Sequence, residues 1–418
     1  MGGTTFTING QGYSINGDNN SGITVGSGQT LIINNVGAYT IDETTGERTI
    51  TNNGFTGFGG RLIDNSGTVS ISNTNFISND ISETASAQVG GIIRNTGTVT
   101  QIVGSNINNN TVTTSGSASS LWGGIINNGV GTTYPNAEIT LIKDTNFIGN
   151  IAHSTIAAPH GGVIVNTAKI GTIDNVTFEN NTMYSDPNKF GGAHGVAIDN
   201  NVYGIITKIT NSVFKNNRVY RTGEDTTTSN YHASGGAMDN YGTIGEISNT
   251  IFEGNVAESV ASTATSGAIM NIYLNENGLG RIDKIEDVTF KNNHVYSQNN
   301  IADGGAIVNG SSTDDGNTGY IGSITGSFSG NYAQSGSSYA YGGAIYNNGT
   351  IGTITANFSG NYTEGNRNDS GYIGAWGGAI SNEGTNATIT KIVGDFTNNH
   401  AENKTGVSSA DGGAIFNR

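Results

Sequence analysis

The chain has 418 residues with 65 Gly, 3 Pro, no Cys and a hydrophobic share of 34%, too thin for one large compact core. Its formal net charge of −15, from 17 basic and 32 acidic residues, repels phosphate backbones and anionic membranes, which argues against a nucleic-acid binder. The lack of cysteine rules out a disulfide scaffold and a thiolate metal site, while 17 Tyr and 14 Phe argue against disorder.

Residues 1–58 carry short β-prone runs at Phe6-Thr7-Ile8, Tyr13-Ser14-Ile15, Ile23-Thr24-Val25 and Leu31-Ile32-Ile33. They read as N-terminal leading coils or a cap region, because a bare solenoid edge pairs with other chains unless its sequence is atypical. The start, Met1-Gly2-Gly3-Thr4-Thr5-Phe6, lacks the basic and apolar regions of a signal peptide, and the end stops inside a repeat. The chain is therefore expected to be a fragment of a longer exported protein. No apolar run approaches the roughly 20 residues of a spanning helix, so this segment is not expected to insert into a membrane.

Residues 59–418 repeat. Two small residues, usually Gly-Gly, precede an aliphatic residue or Ala, then Ile (Met238 in one copy), then any residue, then Asn. Copies begin at Gly60, Gly90, Gly123, Gly161, Gly195, Gly235, Ser266, Gly304, Gly342, Gly377 and Gly412. The sixth position is Asn in every copy, from Asn65 to Asn417. Between copies lies Phe-x-x-Asn, as in Phe214…Asn217, Phe252…Asn255 and Phe358…Asn361, with Ile107 replacing Phe before Asn110. An aliphatic pair precedes each Phe, for example Ile351 and Ile354. Each unit thus reads as three short strands separated by turn-forming Gly and Asn, with no helical periodicity.

Fixed strands joined by connectors of variable length predict a right-handed parallel β-helix of the pectate-lyase-like kind, with about a dozen coils at one strand spacing per coil. Ile and Phe should form inward columns, Gly should supply corners, and stacked Asn should form amide ladders.

The alternation of Gly-Gly-Ala-Ile, best seen at Gly304, Gly342, Gly377 and Gly412, with Phe-x-x-Asn resembles the repeats of chlamydial polymorphic outer membrane proteins. The resemblance runs from about residue 60 to 418. It implies an autotransporter passenger, a β-helical stalk held at the bacterial surface by a C-terminal barrel, and a role in adhesion to host cells. Chlamydial members commonly carry cysteines, and several early copies here lack the Ala, so a broader surface-adhesin relative is the expectation.

Parallel β-helices also carry polysaccharide lyases and hydrolases, whose sites gather carboxylates. The acidic pair Asp314-Asp315 and the tripeptide Ala193-His194-Gly195 are the residues to weigh. They fall about three coils apart, ~15 Å along the axis, beyond direct cooperation. Neither His-x-His nor His-Glu-x-x-His occurs among the six histidines, and no phosphate-binding loop is present, so no metal or cofactor is expected.

Tyr follows several Phe-x-x-Asn copies, including Tyr184, Tyr220, Tyr296, Tyr332 and Tyr362, and further Tyr occupy connectors at Tyr231, Tyr339, Tyr341 and Tyr372. The candidate surface-binding residues are Tyr339, Tyr341, Tyr332, Tyr362 and Tyr372, as anchors for a sugar or a protein. The competing role is an external ladder of rings that supports the coils. The expected function is non-enzymatic attachment, at the cell surface, to a host-cell or other surface receptor, protein or glycan, with self-association as a further expectation. A polysaccharide-active enzyme and a structural fibre or phage-type spike are the alternatives.

Overall fold

The computed structural model describes residues 3–83, 90–115, 121–129, 136–155, 159–186, 192–221, 232–272, 280–311, 318–366, 373–404 and 409–418. Among these residues every regular element is a strand, and all but one antiparallel pair of strands stack as the coils of a parallel β-helix.

One coil shows how the sequence does this. Ala340–Tyr341 leads into Gly342-Gly343, followed by Ile345–Asn347, the long strand Thr350–Ser359, and Tyr362–Gly365. Each segment pairs in parallel with its counterpart one coil later, as in Ile345 with Ile380, Phe358 with Phe396 and Tyr362 with His400. The Ile-x-Asn segments form a 12-stranded sheet, and the segments after Phe-x-x-Asn form a 10-stranded one. Short strands of two to four residues ahead of Gly-Gly add a sheet of nine, so a coil has four strand segments rather than the three expected. Two-residue strands such as Ala340–Tyr341 are too short to show the alternation by which strands are recognised.

The Phe side chains form one column inside the rod. Successive rings from Phe147 to Phe396 stack with centroids 4.7–5.1 Å apart and planes within 12°. That spacing is the inter-strand distance, so one ring per coil fills the column without gaps. Fully burying each ring contributes about 1.5–3 kcal/mol. Ile107, also fully buried, bridges the break between Phe76 and Phe147.

Two ladders of buried amides run beside the apolar columns. The sixth-position Asn side chains link Asn65 to Asn95, then onward through Asn128, Asn166, Asn200, Asn240, Asn271, Asn309, Asn347, Asn382 and Asn417, with Nδ2 to Oδ1 distances of 2.6–2.8 Å. The Phe-x-x-Asn amides make a second series, from Asn79 to Asn399, at 2.9–3.1 Å. Neither series takes the left-handed conformation. Residues just before the second, such as Asn180, Asn216 and Asn292, do so with φ of 53–55°.

The Gly-Gly corners need glycine for two separate reasons. Gly342 has φ of 56°, where a Cβ is strained. A Cβ on Gly343 would overlap the carbonyl oxygen of Gly378 on the next coil. Ser266 takes the first role with φ of 58°.

The leading residues 3–58 hold strands Thr5–Asn9 and Thr30–Asn34, which continue the parallel stack onto Thr68–Ser72. They also carry an antiparallel hairpin, Ala38–Ile41 with Arg48–Asn52, that the alternation did not reveal.

Candidate functional site

The left-handed residue that opens each corner from Gly90 onward, glycine in all but Ser266, folds the chain back on its outer side. The residue before Gly-Gly and the fifth residue of the repeat then face one another across a re-entrant angle. Stacking coils turns these two positions into facing columns. The first runs Trp122, His160, His194, Ser234, Thr265, Asp303, Tyr341, Trp376 and Asp411. The second includes Asp199 in register with Asp239, and further on Val308 in register with Tyr346.

In the middle coils the angle holds acids and imidazoles. The rings of Trp122, His160 and His194 stack, at 4.3 and 4.7 Å between centroids. Asp199 and Asp239 are both 0% exposed. His160 Nδ1 lies 3.3 Å from Asp199 Oδ2, and His194 Nδ1 lies 3.4 Å from Asp239 Oδ2. Ser234 donates its hydroxyl proton to Asp239 Oδ2 at 2.6 Å, and its Oγ is 2.9 Å from His194 Nδ1. The Tyr241 hydroxyl is 3.0 Å from the same Nδ1 and donates to Asp239 at 3.4 Å.

Burial governs the protonation here. It pushes Asp199 well above the ordinary carboxylate range, with the charge of Asp239 adding to the effect. Burial, then the neighbouring His194, hold His160 well below the ordinary imidazole range. Both shifts favour a neutral pair in which Asp199 keeps its proton. Burial and the adjacent carboxylates likewise raise the Tyr241 phenol well above its usual value.

The residue types are those of acid–base chemistry, but the geometry differs from a nucleophilic triad. There the imidazole bridges hydroxyl and carboxylate through its two nitrogens. Here Ser234, Tyr241 and Asp239 all address one nitrogen of His194, and Ser234 itself is fully buried. What the cluster supports is a hydrogen-bonded seam between coils. Among the described residues no group of three or more His, Cys, Asp or Glu side chains is arranged to hold a metal ion.

In the later coils the angle is aromatic. Tyr341 stacks on Trp376 at 4.5 Å with planes 3° apart, and Tyr339 lies 5.1 Å from the same indole. Tyr346, 3% exposed, closes on Tyr341 from the facing column at 5.4 Å. Tyr339 and Tyr341 are thus half-buried members of a packed cluster rather than rings exposed together on a connector. Burial raises the Tyr341 phenol above its ordinary value.

Tyr332 and Tyr362 lie on a different face, in the 10-stranded sheet. They form a continuous stack with His294 and His400, at successive centroid distances of 3.8, 5.0 and 5.1 Å. A parallel stack joins His153, Tyr184 and Tyr220, and His153 Nε2 contacts Asp186 at 2.7 Å. The rings turn their faces to one another, which leaves edges and hydroxyls for solvent. Tyr231, Tyr372, Asp314 and Asp315 lie outside the described residues. The four candidate tyrosines among the described residues therefore do not converge: Tyr339 and Tyr341 share the corner, and Tyr332 and Tyr362 share the outer stack.

The corner columns escaped the sequence reading because their two positions are the variable ones of the repeat. Aligning the copies would have exposed the residue before Gly-Gly as Trp122, His160, His194, Ser234 and so on. Comparison with known protein families, curated proteins and solved structures finds no match to this chain.

Proposed function

We propose that this chain is the non-enzymatic stalk of a bacterial surface protein, an adhesin of the autotransporter-passenger kind whose repeats resemble those of chlamydial polymorphic outer membrane proteins, and that it attaches to a receptor, protein or glycan, on cells or other surfaces. The observation that carries this reading is where the rod varies. The three-residue strands of the 12-stranded sheet keep one length and one register from coil to coil, while the connector after each Phe-x-x-Asn segment changes length. One connector runs from Arg221 to Ala233, and the next only from Ser259 to Ala264. These connectors leave the 10-stranded sheet and enter the nine-stranded one, and a second variable series leaves the 12-stranded sheet, short from Asn166 to Lys169 and long from Asn309 to Tyr320, so length variation gathers in two rows along the rod. Recognition surfaces are characteristically mounted in this way on a rigid scaffold. The closed corner supports the same reading, since its carboxylates Asp199, Asp239 and Asp303 have no exposed surface to offer a substrate.

Flow cytometry of the labelled chain on cultured epithelial cells tests the proposal. Saturable binding that unlabelled chain displaces is the expected outcome. Binding that stays linear with concentration and resists competition would refute it. Periodate oxidation of the cells beforehand separates a glycan receptor, which loses the signal, from a protein receptor, which keeps it.

A further inference from the structure

The hairpin near the N-terminus encloses a feature that the repeat does not require. Its strands Ala38–Ile41 and Arg48–Asn52 are pinned across several coils. The Tyr39 hydroxyl donates to the Gly104 carbonyl at 2.9 Å, and Arg48 donates to the Ser105 carbonyl at 3.2 Å. Asn75 donates to the carbonyls of Ala38 and Asn52 at 3.0 and 2.8 Å, and Asn52 donates to that of Gly12 at 2.8 Å. Between this hairpin and the turns of the first coils lies an open pocket of about 460 Å³. Its polar lining is Asn9, Gln11, Asn35, Asn73 and Tyr39.

Asn35 and Asn73 occupy the same turn on successive coils, each in the left-handed conformation, with φ of 54° and 47°. Gln11 takes φ of 51° beside them. Contacts among these amides are long: Asn73 to Asn35 at 3.5 Å, and the Gln11 amide N–H to Asn9 Oδ1 at 3.4 Å. The Gln11 carboxamide and the Asn35 side-chain NH₂ have no protein partner among the described residues. No charged side chain lines the pocket.

We infer that this pocket binds a short neutral oligosaccharide. The inference rests on the reading of the chain as an attachment stalk and names the ligand chemistry of one part of it. A carboxamide offers two donors and an acceptor in one plane, which suits the paired hydroxyls of a sugar ring. The uncharged lining gives no partner to a desolvated charge, and the acidic chain repels anions at longer range. Ala38 is the one aliphatic side chain of the lining, so the pocket offers little to the apolar side chains of a peptide. Its volume lies within the roughly 300–1,000 Å³ of small-molecule sites.

Glycine substitution tests the site cleanly, because Gln11 and Asn35 already have backbone angles that glycine prefers. The probe is an array of neutral, sialylated and sulfated oligosaccharides together with random peptides, read with wild type and with the Gln11→Gly/Asn35→Gly double variant. Wild type should favour neutral oligosaccharides, and the double variant should lose at least tenfold in affinity at an unchanged melting temperature. If the double variant folds poorly, Asn35→Asp serves instead, since the same turn carries Asp144 at φ of 47° further along the rod. It should also lose neutral-glycan binding. Undiminished binding by both variants overturns the pocket and leaves the attachment reading intact. So does a preference for anionic glycans or peptides, or cell attachment without any binding of neutral glycans. Wild-type chain that binds neither cells nor the array overturns both.

Discussion

Asn255 donates from Nδ2 to the main-chain carbonyl of Phe214, 2.8 Å away on the preceding coil, and to Asn293 Oδ1 at 2.9 Å on the following one. Its own backbone N–H also donates to Asn293 Oδ1, at 3.1 Å. One buried amide therefore fastens three coils. Phe-x-x-Asn is a structural unit in which the ring fills the core and the amide satisfies the backbone at the turn.

Replacing Asn255 with Ala should destabilise the rod by about 2–4 kcal/mol, because its side chain donates two bonds and accepts two more from Asn217, and its loss strands buried backbone groups. Replacing exposed Glu43 with Ala should shift stability by about 0.5 kcal/mol or less. Urea denaturation of the two variants makes the comparison, and equal midpoints would refute the ladder's role.

Phe252→Ala should cost about 3–5 kcal/mol, since the flanking rings of Phe214 and Phe290, at 4.7 and 5.1 Å, are held by their own strands and cannot collapse into the gap. Phe358→Asp should be worse, because it buries a charge without a partner. A thermal melt of Phe252→Ala within a degree or two of wild type would contradict the inward column.

Tyr339→Ser with Tyr341→Ser should lower stability by about 1–3 kcal/mol, in contrast to the near-neutral effect expected of exposed rings. Tyr341 lies flat on Trp376 and touches Tyr346, so its loss opens the corner. Unchanged melting combined with lost attachment would restore these rings as binding anchors.

The core was legible in the sequence because its rule is local and repeated. Ile307, Ile345 and Ile380 recur at one position of the repeat, and all three stack in register and fully buried. The corner was not legible. Asp199 and Asp239 become neighbours only when coils stack, and His160 meets Asp199 across a turn and a coil boundary at once. The hairpin and its pocket were hidden for a related reason: Arg48–Asn52 sits among polar residues with little alternation, and its partners are two coils away.

Acid should weaken the fold. Burial lowers His160 well below its ordinary value and takes His232 and His294 to about 4, against 6.5 for an unhindered imidazole. Below 6.5 the unfolded chain binds protons that the folded chain refuses, so stability falls as pH drops from about 6.5 toward 4. Asp199 opposes this: its raised value means that the folded chain holds a proton the unfolded chain has released. Three imidazoles outweigh one carboxyl, and the melting temperature should decline between pH 7 and 4.5. His294→Gln should make that decline shallower. A flat or rising profile would show that the imidazoles are not sealed.

Attachment without turnover is tested most directly by mass spectrometry of polysaccharides recovered after prolonged incubation with the immobilised chain. The expected result is retention of a subset of them, eluted at their starting mass. Shortened products carrying new reducing ends or unsaturated sugars would contradict the stalk reading and make the rod an enzyme.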